Sequence, residues 1–411
     1  MLKRIGVEHL RLGMFIHEMC GSWMDHPFWR SSIHLEDQKV LQQILDSNVK
    51  EVWIDVSKGA DVIEVAESIE EVEVEELREA QVAEREVPAP PVEKVSLDEE
   101  MGRAAKICAT ARNAVSSMFQ EARMGKALDT QHALPIVEEI SSSIMRNPGA
   151  LIGLARLKNK DDYTYMHSVA VCALMVSLAR QLQLDDQQVR EAGMAGLLHD
   201  IGKMMISSAI LNKPGKLTDS EFHAVMSHPE EGHKLLLAGS GVSEVTLDVC
   251  LHHHEKMAGN GYPHKLKDEQ ITLFARMGAV CDVYDAITSD RPYKNGWDPS
   301  ESIRKMAEWS GAHFDPTIFQ AFVKSIGIYP IGTLVRLESG RLAVVVEQTD
   351  KSLLTPKIKV FYSTKSLSYL PPQILDLSAP GLQDKIVGRE DAAKWGLKNV
   401  NDLWLGDAAR H

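Results

Sequence analysis

Residues 189–203 read VREAGMAGLLHDIGK, and this stretch decides the fold. Apolar residues recur at helical spacing, and the adjacent pair His199-Asp200 falls near the end of the run. Neighbouring residues on a helix point about 100° apart, so an imidazole and a carboxylate can grip one ion from two sides. Lys203 stands three residues after Asp200, which puts its ammonium on the same face, placed for a phosphate or a bridging hydroxide.

Outward from this segment the same chemistry recurs. YMHSVAVCALMVSLARQL (165–182) has helical apolar spacing and sets His167 in the first turn of a core helix. Lys213-Pro214-Gly215 interrupts the chain, and Leu217-Thr218-Asp219 offers an N-cap for a helix running from Glu221 to His228. His253 and His254 form a second pair. RMGAVCDVYDAITSD (276–290) is amphipathic, with Asp282 and Asp285 one turn apart, and one of the two should face the same point. Half of the sixteen histidines lie between His167 and His254, more ligand-grade side chains than one ion can use, which implies a multi-metal hydrolytic site. His223 and His233 are read as ordinary structural histidines. Neutral imidazole with a few carboxylates and no thiolate suits iron, manganese, nickel or zinc. Magnesium alone would prefer carboxylates and water.

Four ordered motifs, LLHDIGK (197–203), SHPEEGH (227–233), HHHEKMAGNGYP (252–263) and DVYDAITSDRPYK (282–294), resemble those of the HD-GYP family, a branch of the HD superfamily of metal-dependent phosphohydrolases. The likeness covers roughly residues 100–330. It implies an all-helical catalytic domain and hydrolysis of cyclic di-GMP, a bacterial second messenger. It also implies that His167, His199, Asp200, His228, His253, His254 and Asp282 are metal ligands and that Lys203 lies beside the metals. Tyr262, Arg291 and Lys294 match positions associated with holding the dinucleotide. The family commonly reads HHE-x-x-D-G-x-G-Y-P, whereas Ala258 replaces that Asp here, so altered loop order or substrate positioning is expected. Some relatives carry an additional Glu one turn before the first His, supporting a third ion; Tyr163 holds that place, and two divalent ions are expected.

The expected chemistry follows from the donors. Asp200 can bridge two ions roughly 3.5–4 Å apart, and water trapped between them becomes a nucleophile near neutral pH. Attack on phosphorus in line with the ribose 3′ oxygen gives the linear dinucleotide pGpG, with Lys203 offsetting transition-state charge. A second cut to GMP stays open. Two other readings also stay open: a low-turnover receptor for cyclic di-GMP, and a phosphodiesterase for another cyclic dinucleotide.

The expected fold is mainly α: a helical HD-type bundle at 101–328, preceded by a small α+β N-terminal domain at 1–60 and a 61–100 linker, and followed by a β-rich appendage and helical tail at 329–411. RIGVEHLRLGMFI reads as strand-turn-strand, EDQKVLQQILDSNVK as a helix and EVWIDV as a strand. This module resembles the small domain of unassigned function often found ahead of HD-GYP domains, and a regulatory protein partner is assigned to it. Loop aromatics Trp23, Phe28 and Trp29 are its candidate surface. Residues 101–150, punctuated by Pro135 and Pro148, read as bundle wall and candidate homodimer face. GTLVRLESGRLAVVVEQ and KIKVFYS alternate as strands.

Net charge is −13, of which residues 61–100 account for −12, with fifteen acidic residues against Arg78, Arg85 and Lys94. The repulsion is confined to a solvated, Pro-containing linker, so the site can still attract an anion. No polymeric nucleic acid is expected as a partner. No apolar run of about 18 residues suggests a membrane span, the N-terminus lacks a secretory pattern, and the five cysteines form no C-x-x-C pair. A cytoplasmic protein with reduced cysteines is expected.

Overall fold

The computed structural model describes residues 2–19, 33–35, 38–45, 49–60, 93–157, 163–213, 215–290, 296–349 and 352–405. They belong to two compact units, residues 1–89 and 90–411. In the first, strands β1 (Leu2–Gly6), β2 (Phe15–Met19), β3 (Ile33–His34) and β4 (Glu51–Asp55) form an antiparallel sheet in the order β1-β4-β2-β3, with helix α1 (Gln38–Leu45). Alternation along β4 buries Val52 and Ile54 with Ile16, Leu35 and Ile44, a core of its own. The loop holding Trp23, Phe28 and Trp29 lies outside the described residues.

The second unit begins with α2 (Leu97–Arg123), α3 (Leu134–Arg146) and α4 (Pro148–Arg156). Ser96 and Glu99 close a capping box at the start of α2, four residues ahead of the expected domain start. Pro135 and Pro148 each sit in the first turn of a helix, where the missing N–H costs nothing. Buried Glu100 is held by the Arg146 guanidinium at 2.6 and 2.7 Å and by Ser143 Oγ at 2.8 Å.

Helix α5 (Tyr163–Gln181) is the axis of the bundle, buried on nearly every face from Met166 to Ala179. It starts two residues earlier than its apolar pattern, so His167 lies in the second turn. Helix α6 (Asp186–Leu198) packs on it with almost no spacing: a Cβ added at Gly196 would meet the Val171 carbonyl oxygen at 2.9 Å. His199 is the C-cap of α6, and Asp200 turns into a short 3₁₀ segment, Ile201–Met205.

A four-residue α7 (Ser208–Leu211) leads to α8 (Asp219–Met226), capped by Thr218 and Glu221. The single helix expected from Glu221 to His228 is instead two, with α9 running from His228 to Leu237. Pro229 occupies the first turn of α9 and has no N–H for a continuous ladder, so the chain restarts at His228. Helices α10 (Glu244–His252), α11 (Leu273–Thr288), α12 (Pro299–Trp309) and α13 (Pro316–Ile326) complete the bundle. Cys172, Cys250 and Cys281 are buried and form no disulfide among the described residues, and no described helix is long and apolar enough to cross a membrane.

The appendage is a five-stranded antiparallel sheet in the order β8-β7-β6-β5-β9, from β5 (Leu334–Leu337), β6 (Arg341–Glu347), β7 (Lys357–Ser363), β8 (Ser368–Asp376) and β9 (Ile386–Arg389). Gly340 takes φ +82° in the β5–β6 turn. The last described helix, α14 (Asp402–Leu405), sends Trp404 into the bundle core beside Gly153, where a Cβ would meet its ring at 2.8 Å.

The α5–α6 contact aligns His167 with His199. Gly196→Ala is therefore expected to destabilise the unit by about 2 kcal/mol through overpacking and to lower bound metal, measured by urea unfolding and metal analysis.

Candidate metal centre

Five elements deliver the predicted side chains to one buried point: α5 (His167), the end of α6 (His199, Asp200), the start of α9 (His228), the end of α10 (His253, His254) and α11 (Asp282). All are nearly inaccessible except His254, whose side chain is 22% exposed. Asp200 stands between two groups. Its Oδ2 lies 3.3 Å from His167 Nε2 and 3.4 Å from His199 Nε2, while Oδ1 lies 3.2 Å from His228 Nε2 and 3.8 Å from His253 Nε2. Asp282 joins the first group at 3.0 Å from His167 Nε2 and faces His254 Nδ1 at 3.8 Å with its other oxygen.

The backbone sets the tautomers. His199 Nδ1 donates to the Gly196 carbonyl at 2.8 Å, His228 Nδ1 to Val225 at 2.7 Å, and His253 Nδ1 to Val249 and Cys250 at 3.0 Å. Each Nε2 is thereby left to present a lone pair inward. His167 Nδ1 is 2.6 Å from Asp285 Oδ2. This is the carboxylate–imidazole pairing that orients metal-binding histidines and raises their basicity. Of the two α11 carboxylates the sequence offered, Asp282 faces the centre and Asp285 stands behind His167. The three-residue spacing put them on one face, but the depth of each is a property of the packing.

Electrostatics favour a cation. Burial works against charge on His167, but Asp200, Asp282 and Asp285 outweigh it and hold the imidazole up to about 10. A divalent ion would compete with that proton for Nε2. Burial, with His199 and His228 nearby, presses His253 down to about 3, and burial with His253 nearby holds His254 well below the usual imidazole range, so both stay neutral lone-pair donors. Burial would raise Asp200, but Lys203 and His199 outweigh it and keep the carboxyl ionised. Lys203 Nζ pairs directly with Asp200 Oδ2. Buried His199 Nε2 and Asp200 Oδ1 have no hydrogen-bond partner among the described residues. Such orphaned atoms at the middle of a His/Asp cluster fit divalent metal. Ligand atoms of His167, His199 and Asp282, of His199, Asp200 and His253, and of His228, His253 and His254 each lie within 4.8 Å of one another.

The loop after α10 covers this centre. Tyr262 stacks on His254 with ring centroids 4.7 Å apart at 28°, and its hydroxyl, buried near Asp282 and Asp200, is pushed up in pKa. Glu255, which the sequence reading did not single out, is buried and accepts the backbone N–H groups of His264 at 2.7 Å and Leu266 at 3.1 Å. The Met257 and Ala258 amides donate to His313 and Ala312 carbonyls at 3.2 and 2.9 Å, so main-chain contacts anchor the loop where Ala258 stands. Arg291 and Lys294 lie outside the described residues.

A helical bundle that joins an adjacent His–Asp pair to further histidines and a helical aspartate defines the class: an HD-type, metal-dependent phosphohydrolase. Residues 141–318 match the family described as HD domain, and residues 2–133 match a domain of unknown function, DUF3391. A cyclic di-GMP phosphodiesterase of Pseudomonas aeruginosa is 58% identical over 408 residues, covering 99% of this chain and 96% of the relative. A cyclic di-GMP phosphodiesterase response regulator of Xanthomonas campestris is 40% identical over 36% of this chain and 39% of its own length. A 3′3′-cGAMP-specific phosphodiesterase of Vibrio cholerae is 34% identical over 42% of this chain and 37% of its own. The chain belongs to the HD-GYP family, in the form that carries a DUF3391 domain ahead of the HD domain.

Asp285→Asn removes the charge behind His167 while preserving its shape. Metal affinity is expected to fall about 10–100-fold, measured as metal retained against a chelator series.

Proposed function

We propose that the chain hydrolyses cyclic di-GMP to linear pGpG at a binuclear centre held by His167, His199, Asp200, His228, His253, His254 and Asp282. The observation that carries the reading is the split of Asp200, with one oxygen turned to His167 and His199 and the other to His228 and His253. Two divalent ions from the iron, manganese, nickel or zinc group would supply Lewis acidity toward a phosphate oxygen and a nucleophile from water near neutral pH.

The chain's own residues supply the rest. Lys203 keeps Asp200 ionised and adds positive charge where the attacked phosphate becomes more negative. Asp285 holds the His167 ring in place through Nδ1. Tyr262 offers a hydroxyl at the mouth of the centre and an aromatic face beside His254 for positioning the dinucleotide. Arg291 and Lys294 are assigned to its phosphates or guanine edges, since a guanidinium presents a planar fork of donors. Buried Cys172, Cys250 and Cys281, with no disulfide among the described residues, suit a reducing compartment, which supports a cytoplasmic activity.

The similarity to a 3′3′-cGAMP-specific enzyme favours including that dinucleotide in the assay. Single-turnover hydrolysis with Mn²⁺, Fe²⁺ or Ni²⁺ supplied should release pGpG in proportion to bound metal. Faster turnover of 3′3′-cGAMP would reassign the substrate, and retained dinucleotide without product would make the protein a receptor. His199→Ala and Asp200→Ala should abolish hydrolysis and lower bound metal; persistent activity would place the reaction elsewhere. Tyr262→Ala should weaken dinucleotide binding roughly tenfold, the scale of one lost polar contact, with metal content unchanged.

A further inference from the structure

A second histidine cluster lies on the outer side of α10. His252 immediately precedes the buried His253-His254 pair but turns outward, with its side chain 15% exposed. Its Nδ1 is 2.7 Å from Asp248 Oδ1, one helical turn earlier. The other Asp248 oxygen accepts Thr272 Oγ1–H, which fixes the carboxylate. His252 Nε2 then faces His264 Nδ1 at 3.0 Å, with the rings tilted by 56°. His264 is exposed and belongs to the loop that carries Tyr262. Half-exposed His233 on α9 has His252, Glu244, His264 and Asp248 within its electrostatic reach.

Two features of the buried centre recur here. A carboxylate holds Nδ1 of one histidine, as Asp285 holds His167. That leaves a ring nitrogen facing another histidine's ring nitrogen, as His228 Nε2 faces His253 Nε2 at 3.3 Å. One imidazole could donate to the other and satisfy the pair, but an Asp-oriented imidazole beside a second one also forms two adjacent corners of a coordination shell. Solvent exposure leaves the remaining corners to water. With nitrogen donors and no thiolate, the preference runs to zinc, nickel or copper and away from magnesium and calcium.

We propose that His252 and His264 form a separate surface site for one divalent ion of the zinc class, oriented by Asp248, and that the ion pins the Tyr262 loop to α10. The site contains none of the residues assigned to the buried centre, and its test reads zinc directly, without hydrolysis. Full-length protein is saturated with Zn²⁺ and gel-filtered, then equilibrium-dialysed against increasing free Zn²⁺, in parallel with His264→Gln, a change confined to an exposed side chain. Wild type should take up one more zinc per chain than the variant, and hydrogen exchange of residues 256–272 should slow with that uptake in wild type alone. Asp248→Asn should keep the site but weaken it about tenfold. Equal zinc uptake by wild type and His264→Gln would overturn the site and leave the pair as a hydrogen bond. Uptake of the additional zinc without a change in exchange would overturn the pinning.

Discussion

Burial of Asp200 is the constraint on which the catalytic unit depends. An ionised carboxylate taken out of water costs several kcal/mol unless charge and hydrogen-bonding groups converge on it. Here Lys203, just past the α6 terminus, and His167 from α5 bring positive charge to it, while His199, His228 from α9 and His253 from α10 turn Nε2 lone pairs toward the same carboxylate, a ring that a cation completes. The helices must therefore pack in one arrangement if that charge is to be accommodated. The glycine at 196, the break at Ser227 and the tautomer-setting carbonyls all serve that convergence. A buried carboxylate ringed by inward-facing imidazole lone pairs is thereby a cradle for cations.

Around this rigid centre lies a more locally anchored layer. The Tyr262 loop is tied by Glu255 through two backbone amides and by main-chain contacts to residues 312–313. These ties use no side chain at position 258, where Ala258 stands. The contacts that anchor the loop are thus separate from the side chains that converge on Asp200.

The residues that converge on the buried centre were legible in the sequence because His and Asp on otherwise apolar helical segments are costly unless used. The helices carrying them were legible from the same apolar period. The split at Ser227 was less so: Pro229 signalled a discontinuity, but a proline in a first turn and one ending a helix look alike until the hydrogen bonds are traced. The division of labour between Asp282 and Asp285 needed the direction of each carboxylate. Strand β8, with Pro371 and Pro372 in SYLPPQILD, did not read as a strand, yet it occupies a sheet edge, where a missing N–H breaks no ladder. Glu255 sits beside two ligand histidines, and its service to backbone amides leaves no trace in spacing.

Trp404 carries a consequence for the order in which the molecule is made. Its indole lies in the bundle core, packed against Gly153 and Gly332, with the Arg156 guanidinium 5.9 Å from the ring. Every residue that converges on the buried centre leaves the ribosome long before residue 404. A nascent chain therefore exposes its histidines and carboxylates while the core still lacks a large aromatic side chain. The bundle core is therefore complete only once α14 has been made, and the side chain that completes it comes from an element carrying none of the residues that converge on Asp200.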